Sequence, residues 1–263
     1  MKLFLLLALL GLTGCVAQPA SNNSPNSPET RPVGSGDFRA QIHTDLAANY
    51  FLRAQYAIAL QELAEALRTD AGYAPAYNML GLVHGELRED QRAEESFRHA
   101  IERSPQFSEA HNNFGLFLCQ RKRMKEARPH FETALANPLY ASPEKALSNA
   151  GACSLEQGDL VTAEMYYTRA LRRAPNHASA RLGLAEVQFR QDRWLGARVL
   201  LRQLTEQAEV SAQALWLGVR IERRLGDREA EANYGAQLRR RYPESMQTQW
   251  LITGQYDQMG SLL

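Results

Sequence analysis

No charge of either sign dominates this chain, because 30 Lys and Arg stand against 29 Asp and Glu in 263 residues. The formal net charge of +1 gives no single-sign field of the kind that marks a nucleic-acid binder, and the neutral balance suits a protein that binds protein. A membrane-spanning stretch is missing as well. The N-terminal apolar run from Leu3 to Leu12 is about half of the roughly 20 residues needed to cross a hydrocarbon core of about 30 Å. Catalytic constellations are absent too. His43, His84, His99, His111, His130 and His177 are scattered, and none belongs to an H-E-x-x-H or paired-cysteine metal motif. Gly34-Ser35-Gly36 has no following Gly-Lys-Ser/Thr, so it is no phosphate loop. These absences argue against an enzyme, a metal site, a cofactor or a small-molecule substrate. Cysteine is scarce, with only Cys15, Cys119 and Cys153.

What the chain has is repetition. Ala93, Phe97, Ala100 and Pro105 are followed by Ala127, Phe131, Ala134 and Pro138, then by Ala163, Tyr167, Ala170 and Pro175. Alanine, aromatic, alanine and proline at this spacing and period resemble the second helix of a tetratricopeptide repeat. One helical pair cannot bury its apolar face without neighbours, so the expected fold is an all-α solenoid, a right-handed superhelix of about six helix-turn-helix repeats. With Ala74 as first position, Tyr77, Leu80, Gly81 and His84 fall on helix A, and Ala93, Phe97 and Ala100 on helix B. Gly81 and Ala93 let the two helices approach, Tyr77, Leu80 and Phe97 fill the space around them, and Pro105 cannot continue a helix. The same frame gives repeats over about 40–73, 74–107, 108–143, 144–177, 178–210 and 211–243. The fifth is degenerate, with Leu201 and Leu204 replacing the aromatic and the second alanine. Residues 244–263 form a terminal cap or tail, to which Met246, Trp250, Leu251 and Ile252 could contribute.

The first residues have the order of a secretory signal, with Met1-Lys2 before the apolar run. Leu12-Thr13-Gly14-Cys15 resembles a bacterial lipobox, which makes residues 1–14 a removed signal peptide and Cys15 the lipidated first residue. An ordinary cleaved signal beside a free cysteine is the other reading. Val16, in place of an aspartate, resembles the outer-membrane form of lipoprotein sorting. Several acyl chains on Cys15 would anchor stably, at about 0.8 kcal/mol per buried methylene. Residues 15–38, rich in Pro, Ser, Asn and Gly, then read as a disordered tether. As a flexible coil of about twenty residues it reaches roughly 25 Å.

Three groups of residues are candidates for function. Cys119 and Cys153 fall on helix A of adjacent repeats, which leaves two readings, a disulfide in an oxidising compartment or two small buried thiols. The basic runs Arg121-Lys122-Arg123-Met124-Lys125 and Arg239-Arg240-Arg241 read either as solvated turns and helix ends or as contacts for anionic headgroups or an acidic partner. The inner wall of the solenoid is the third. The helix A positions that line it in this repeat family fall on Phe51, Leu52, Asn78, Leu82, Asn112, Asn113, Leu116, Ser148, Asn149 and Leu155. Apolar residues with a row of amides suit a peptide or an amphipathic helix, although some of these leucines could instead complete packing between repeats.

Several stretches go beyond the generic repeat. They are Asn112-Asn113-Phe114-Gly115-Leu116-Phe117-Leu118-Cys119, Asn137-Pro138-Leu139-Tyr140 with Pro143, Asn149-Ala150-Gly151-Ala152-Cys153, Leu215 to Glu222, and Leu238 to Pro243. In these the chain resembles the type IV pilus biogenesis and stability lipoproteins called PilF or PilW, over nearly the whole mature length. The resemblance implies a pilotin without a cofactor, lipid-anchored in the outer membrane and facing the periplasm. Such a protein binds subunits of the pilus secretin and promotes their localisation and multimerisation. Two other classes with the same kind of groove are an adaptor for cell-wall hydrolases and a component of outer-membrane protein assembly.

Overall fold

A computed structural model of the chain describes residues 35–205 and 210–260. The signal segment, Cys15 and the tether through residue 34 lie outside the described residues. Among the described residues there are thirteen α-helices and no strand. Twelve form six antiparallel pairs: α1 (Ser35–Leu52) with α2 (Tyr56–Thr69), α3 (Ala74–Glu86) with α4 (Asp90–Arg103), α5 (Ser108–Gln120) with α6 (Met124–Ala136), α7 (Pro143–Glu156) with α8 (Leu160–Arg173), α9 (Ala178–Arg190) with α10 (Trp194–Thr205), and α11 (Ala212–Leu225) with α12 (Arg228–Arg241). The thirteenth, α13 (Met246–Thr253), packs on α11 and α12 where a seventh helix A would stand.

Four of the six pairs close through a glycine on helix A. A Cβ built on Gly81 would stand 2.6 Å from the Phe97 ring, so the aromatic of helix B occupies the space that a side chain on helix A would need. Gly115 meets Phe131, Gly151 meets Tyr167, and Gly218 meets Tyr234 in the same way. Phe97, Phe131 and Tyr167 are fully buried as a result. Between pairs, every helix A packs on the helix A of the next repeat and every helix B on the following helix A, while among the described residues no two B-helix backbones pack closely. The A helices therefore form one continuous layer and the B helices the outside.

The core runs without a break along this layer. Leu82 packs against both the cluster of the first two repeats and the central cluster around Phe97, Phe131 and Tyr167. Leu200 likewise joins the central cluster to the C-terminal one around Trp216, Leu217 and Ile221. The degenerate fifth repeat keeps its packing because Leu201 and Leu204 are buried where the aromatic and alanine stand elsewhere. One boundary differs from the composition-based reading: α1 begins at Ser35, inside the segment assigned to the tether up to residue 38. Once Ala40, Thr44 and Ala47 are buried against the neighbouring helices, adding a preceding turn costs little, because propagation needs no new nucleus.

Candidate partner-binding surface

The row of amides read from the sequence is a ladder between repeats. Asn113 on α5 donates from Nδ2 to Oδ1 of Asn78 on α3 at 3.1 Å, and Asn149 on α7 donates to Oδ1 of Asn112 at 3.0 Å. Asn112 in turn donates to the Asn113 side chain at 3.2 Å. Four side chains thus stitch three successive A helices together, and part of their hydrogen-bonding capacity is used within the protein. Asn112 is 1% exposed and Asn78 is buried, whereas Asn113 and Asn149 keep a partly open edge.

The apolar members of the predicted wall separate into two kinds. Leu52 is 82% exposed at the end of α1, next to Phe51, whose half-buried ring lies 5.8 Å from that of Tyr56. Leu82 and Leu116 are half-buried, each with an open side and a side against the core. Leu155 is 1% exposed and belongs to the central core, which corrects its assignment to the binding wall. The reason is its register: it stands six residues after Asn149, as the buried Cys119 stands six after Asn113, whereas Leu116 stands only three after Asn113. Ser148 is also buried, yet with Asn149 it lines a cavity of about 330 Å³ that continues along Ser179 and Leu182 of α9 to Gln213 of α11.

That cavity extends the wall beyond the fourth repeat, past the last residue predicted to line it. The same register continued downstream gives Leu182 and Gly183 on α9 and Leu215 and Trp216 on α11. Over Trp216 lies the segment after α13: its indole Nε1 donates to the Gln258 carbonyl at 2.9 Å, and the Tyr256 ring stacks at 5.9 Å. In the same region Glu186 sits between two guanidiniums, accepting from Nε of Arg190 at 2.8 Å and from Nη1 of Arg220 at 3.1 Å. Burial lowers the proton affinity of Arg220 despite that carboxylate.

The basic runs are largely accounted for. Arg121 donates to Asp90 at 2.6 Å and to the Gly85 carbonyl at 3.0 Å, and Arg123 bonds both Glu94 and Glu126. Asp90 and Glu94 are held below the usual carboxylate range chiefly by these hydrogen bonds. The first run is therefore the strapping of a turn. Arg239, Arg240 and Arg241 occupy the last turn of α12, where cations offset the carbonyl end of the helix dipole. The connection at Asn137 is similarly tied down: its Nδ2 donates to Oγ of Ser108 at 2.9 Å, and the Tyr140 hydroxyl donates to Glu109 at 3.0 Å.

Cys119 and Cys153 face each other on α5 and α7 with Cα atoms 5.9 Å apart, a separation that a disulfide spans without backbone movement.

Models of the tetratricopeptide repeat family match residues 78–146 and 154–216. The type IV pilus assembly protein PilF of Pseudomonas aeruginosa is 30% identical over 243 residues, covering 92% of this chain and 94% of that protein. A crystal structure of PilW, described as a widely conserved type IV pilus biogenesis factor, matches with a TM-score of 0.74 at 32% identity over 81% of this chain and 98% of that one. The structure of P. aeruginosa PilF matches with a TM-score of 0.73 at 28% identity, over 83% of this chain and 99% of that one. The fold is accordingly an all-α solenoid of tetratricopeptide repeats.

Proposed function

The chain belongs to the family of type IV pilus biogenesis proteins that includes PilF and PilW, and on that premise we propose that it acts as a pilotin without a catalytic step. In this reading the lipid on Cys15 holds the protein at the outer membrane facing the periplasm, and the tether gives it reach. The helix A layer receives a segment of a secretin subunit and promotes its localisation and assembly into the ring. The observation that carries the reading is the helix A wall: the half-open apolar residues Leu82 and Leu116 flank the partly open amides Asn113 and Asn149 over three consecutive repeats. Such a strip offers an extended or helical peptide apolar contact along its length and polar anchors at the spacing of the repeats.

Deletion of the gene is the direct test. Secretin multimers should fall sharply in outer-membrane fractions, and unchanged multimers with normal pili would refute the proposal. A photo-reactive residue at Leu116 or Leu52 in living cells should capture a secretin subunit. Capture of a cell-wall hydrolase or of an outer-membrane assembly factor instead would move the protein to one of those classes.

A further inference from the structure

The inner wall of the last two repeats holds a buried cation that the chain itself satisfies only in part. Arg220 on α11 is 5% exposed, and its hydrogen bonds run from Nη1 alone, to the two oxygens of Glu186 at 3.1 and 3.4 Å. Its Nε is closed to solvent with no acceptor. Glu186 cannot make up the difference, because it also serves Arg190, so one carboxylate stands between the buried guanidinium of Arg220 and the half-buried one of Arg190. The Phe189 ring beneath Arg220, 4.4 Å from centroid to Cζ, attracts the charge but offers no hydrogen-bond acceptor of its own. Native proteins seldom leave such a donor without a partner, so the surroundings of Arg220 are short of acceptors.

Arg220 lines a cavity of about 390 Å³ together with Arg223, Arg224, Tyr256 and Asp257. Arg223 is held at its edge by Glu231 at 3.0 Å and by stacking on Tyr256, with Cζ 3.8 Å from the ring centroid. Among the described residues Arg224 has one ion pair, with Asp257 at 3.9 Å, and the Asp257 side chain is almost wholly in solvent. Three guanidiniums and one loosely held carboxylate therefore surround a space of side-chain size.

We propose that this cavity binds a carboxylate of a partner peptide, either an acidic side chain or a free C-terminus, with the guanidiniums of Arg220 and Arg224 as donors and Tyr256 as its wall. A planar guanidinium presents paired N–H groups that match the two oxygens of a carboxylate. Asp257, on the segment that follows α13, is the chain's own weak occupant of the mouth and is displaced by the ligand. The proposal deepens the partner-binding reading and rests on it in one respect, that the ligand is a peptide.

The test is fluorescence anisotropy at low salt on the purified full-length chain in detergent, with a labelled probe of sequence Gly-Ser-Leu-Phe-Asp-Asp carrying a free C-terminus. Arg224→Gln should weaken binding about threefold to fivefold, the range of an exposed charge pair. Asp257→Asn should tighten it, and both variants lie at exposed positions where thermal melts should match the parent. Probes with Asn for Asp, or with an amidated C-terminus, show which carboxylate is read: the one whose loss abolishes binding is the source. Equal affinity for all three probes, no binding of the acidic probe, or an Arg224→Gln variant that binds like the parent would each overturn the assignment. Failure of secretin capture from Leu116 with the anisotropy result intact would refute the pilotin reading and leave the cavity standing.

Discussion

At the scale of single residues, the chain depends on places where one atom more or less decides the packing. Gly81 is the clearest. Its missing Cβ leaves room for the Phe97 ring 2.6 Å from where that atom would stand, so Gly81→Ala drives a methyl group into a fully buried aromatic. The expected loss is about 1 to 3 kcal/mol, read as a lower urea midpoint with unchanged slope. His130 is the second such place. It lies against the Phe114 ring and 3.0 Å from Nδ1 of His111, and burial first, then the charge of His111, moves its pKa from 6.5 to about 4. Arg98 acts in the same direction and Glu126 against it. A histidine kept neutral in the fold contributes stability that is fully present above pH 6.5 and is lost as the pH falls from there to about 4, because only the unfolded chain takes up the proton in that window. Melting at pH 7.5 and pH 5 should therefore show a fall for the parent that is smaller by a few degrees in His130→Gln. Equal falls in the two proteins would mean that another group carries the acid sensitivity.

Among the elements, the turn between helix A and helix B follows one rule in every repeat. Ala54, Arg88, Lys122, Gly158, Asp192 and Gly226 all have φ between 56° and 77°, one left-handed residue per turn. Only two are glycine, so the sequence marks the turn by register and not by composition. A side chain in that conformation costs roughly 1 to 2 kcal/mol, and glycine offsets part of the relief through its freer unfolded chain. Ala54→Gly should thus stabilise by about 0.5 to 1 kcal/mol, seen as a Tm raised by a few degrees. The amide ladder belongs to this scale as well. Asn78, Asn112, Asn113 and Asn149 could be placed on the inner wall from their repeat positions, but their pairing across three helices is set by distances between repeats that no local pattern encodes. The fate of Leu155 is a matter of register: it falls six residues after Asn149 as Cys119 falls six after Asn113, and both are buried.

For the whole molecule the question is how a one-dimensional stack becomes cooperative and finds its partner. The core is shared from repeat to repeat through Leu82 and Leu200, and a bridge between Cys119 and Cys153 would add a covalent link between the third and fourth repeats. The two cysteines are 34 residues apart, so we expect reduction to destabilise the chain by about 3 to 4 kcal/mol in the loop-entropy account. Thermal melts with and without reductant should differ for the parent and coincide for Cys119→Ser. Mass spectrometry after blocking free thiols gives a second readout, in which two alkylated cysteines in the untreated protein would exclude the bridge.

The all-α solenoid, the pairing of helices within each repeat and the resemblance to pilus biogenesis factors follow from the residue pattern alone, because alanine, glycine, aromatic and proline recur at intervals fixed by the geometry of one helical pair. Tertiary structure decided which wall residues stay open and which close, that the amides bond to one another, and that Arg220 keeps an unpaired donor beside a cavity. Those outcomes depend on contacts between residues some 34 or more positions apart, Glu186 with Arg220 and Trp216 with Gln258 among them. The distance between such residues is set by how successive repeats stack, and a periodic pattern reads only what lies within one.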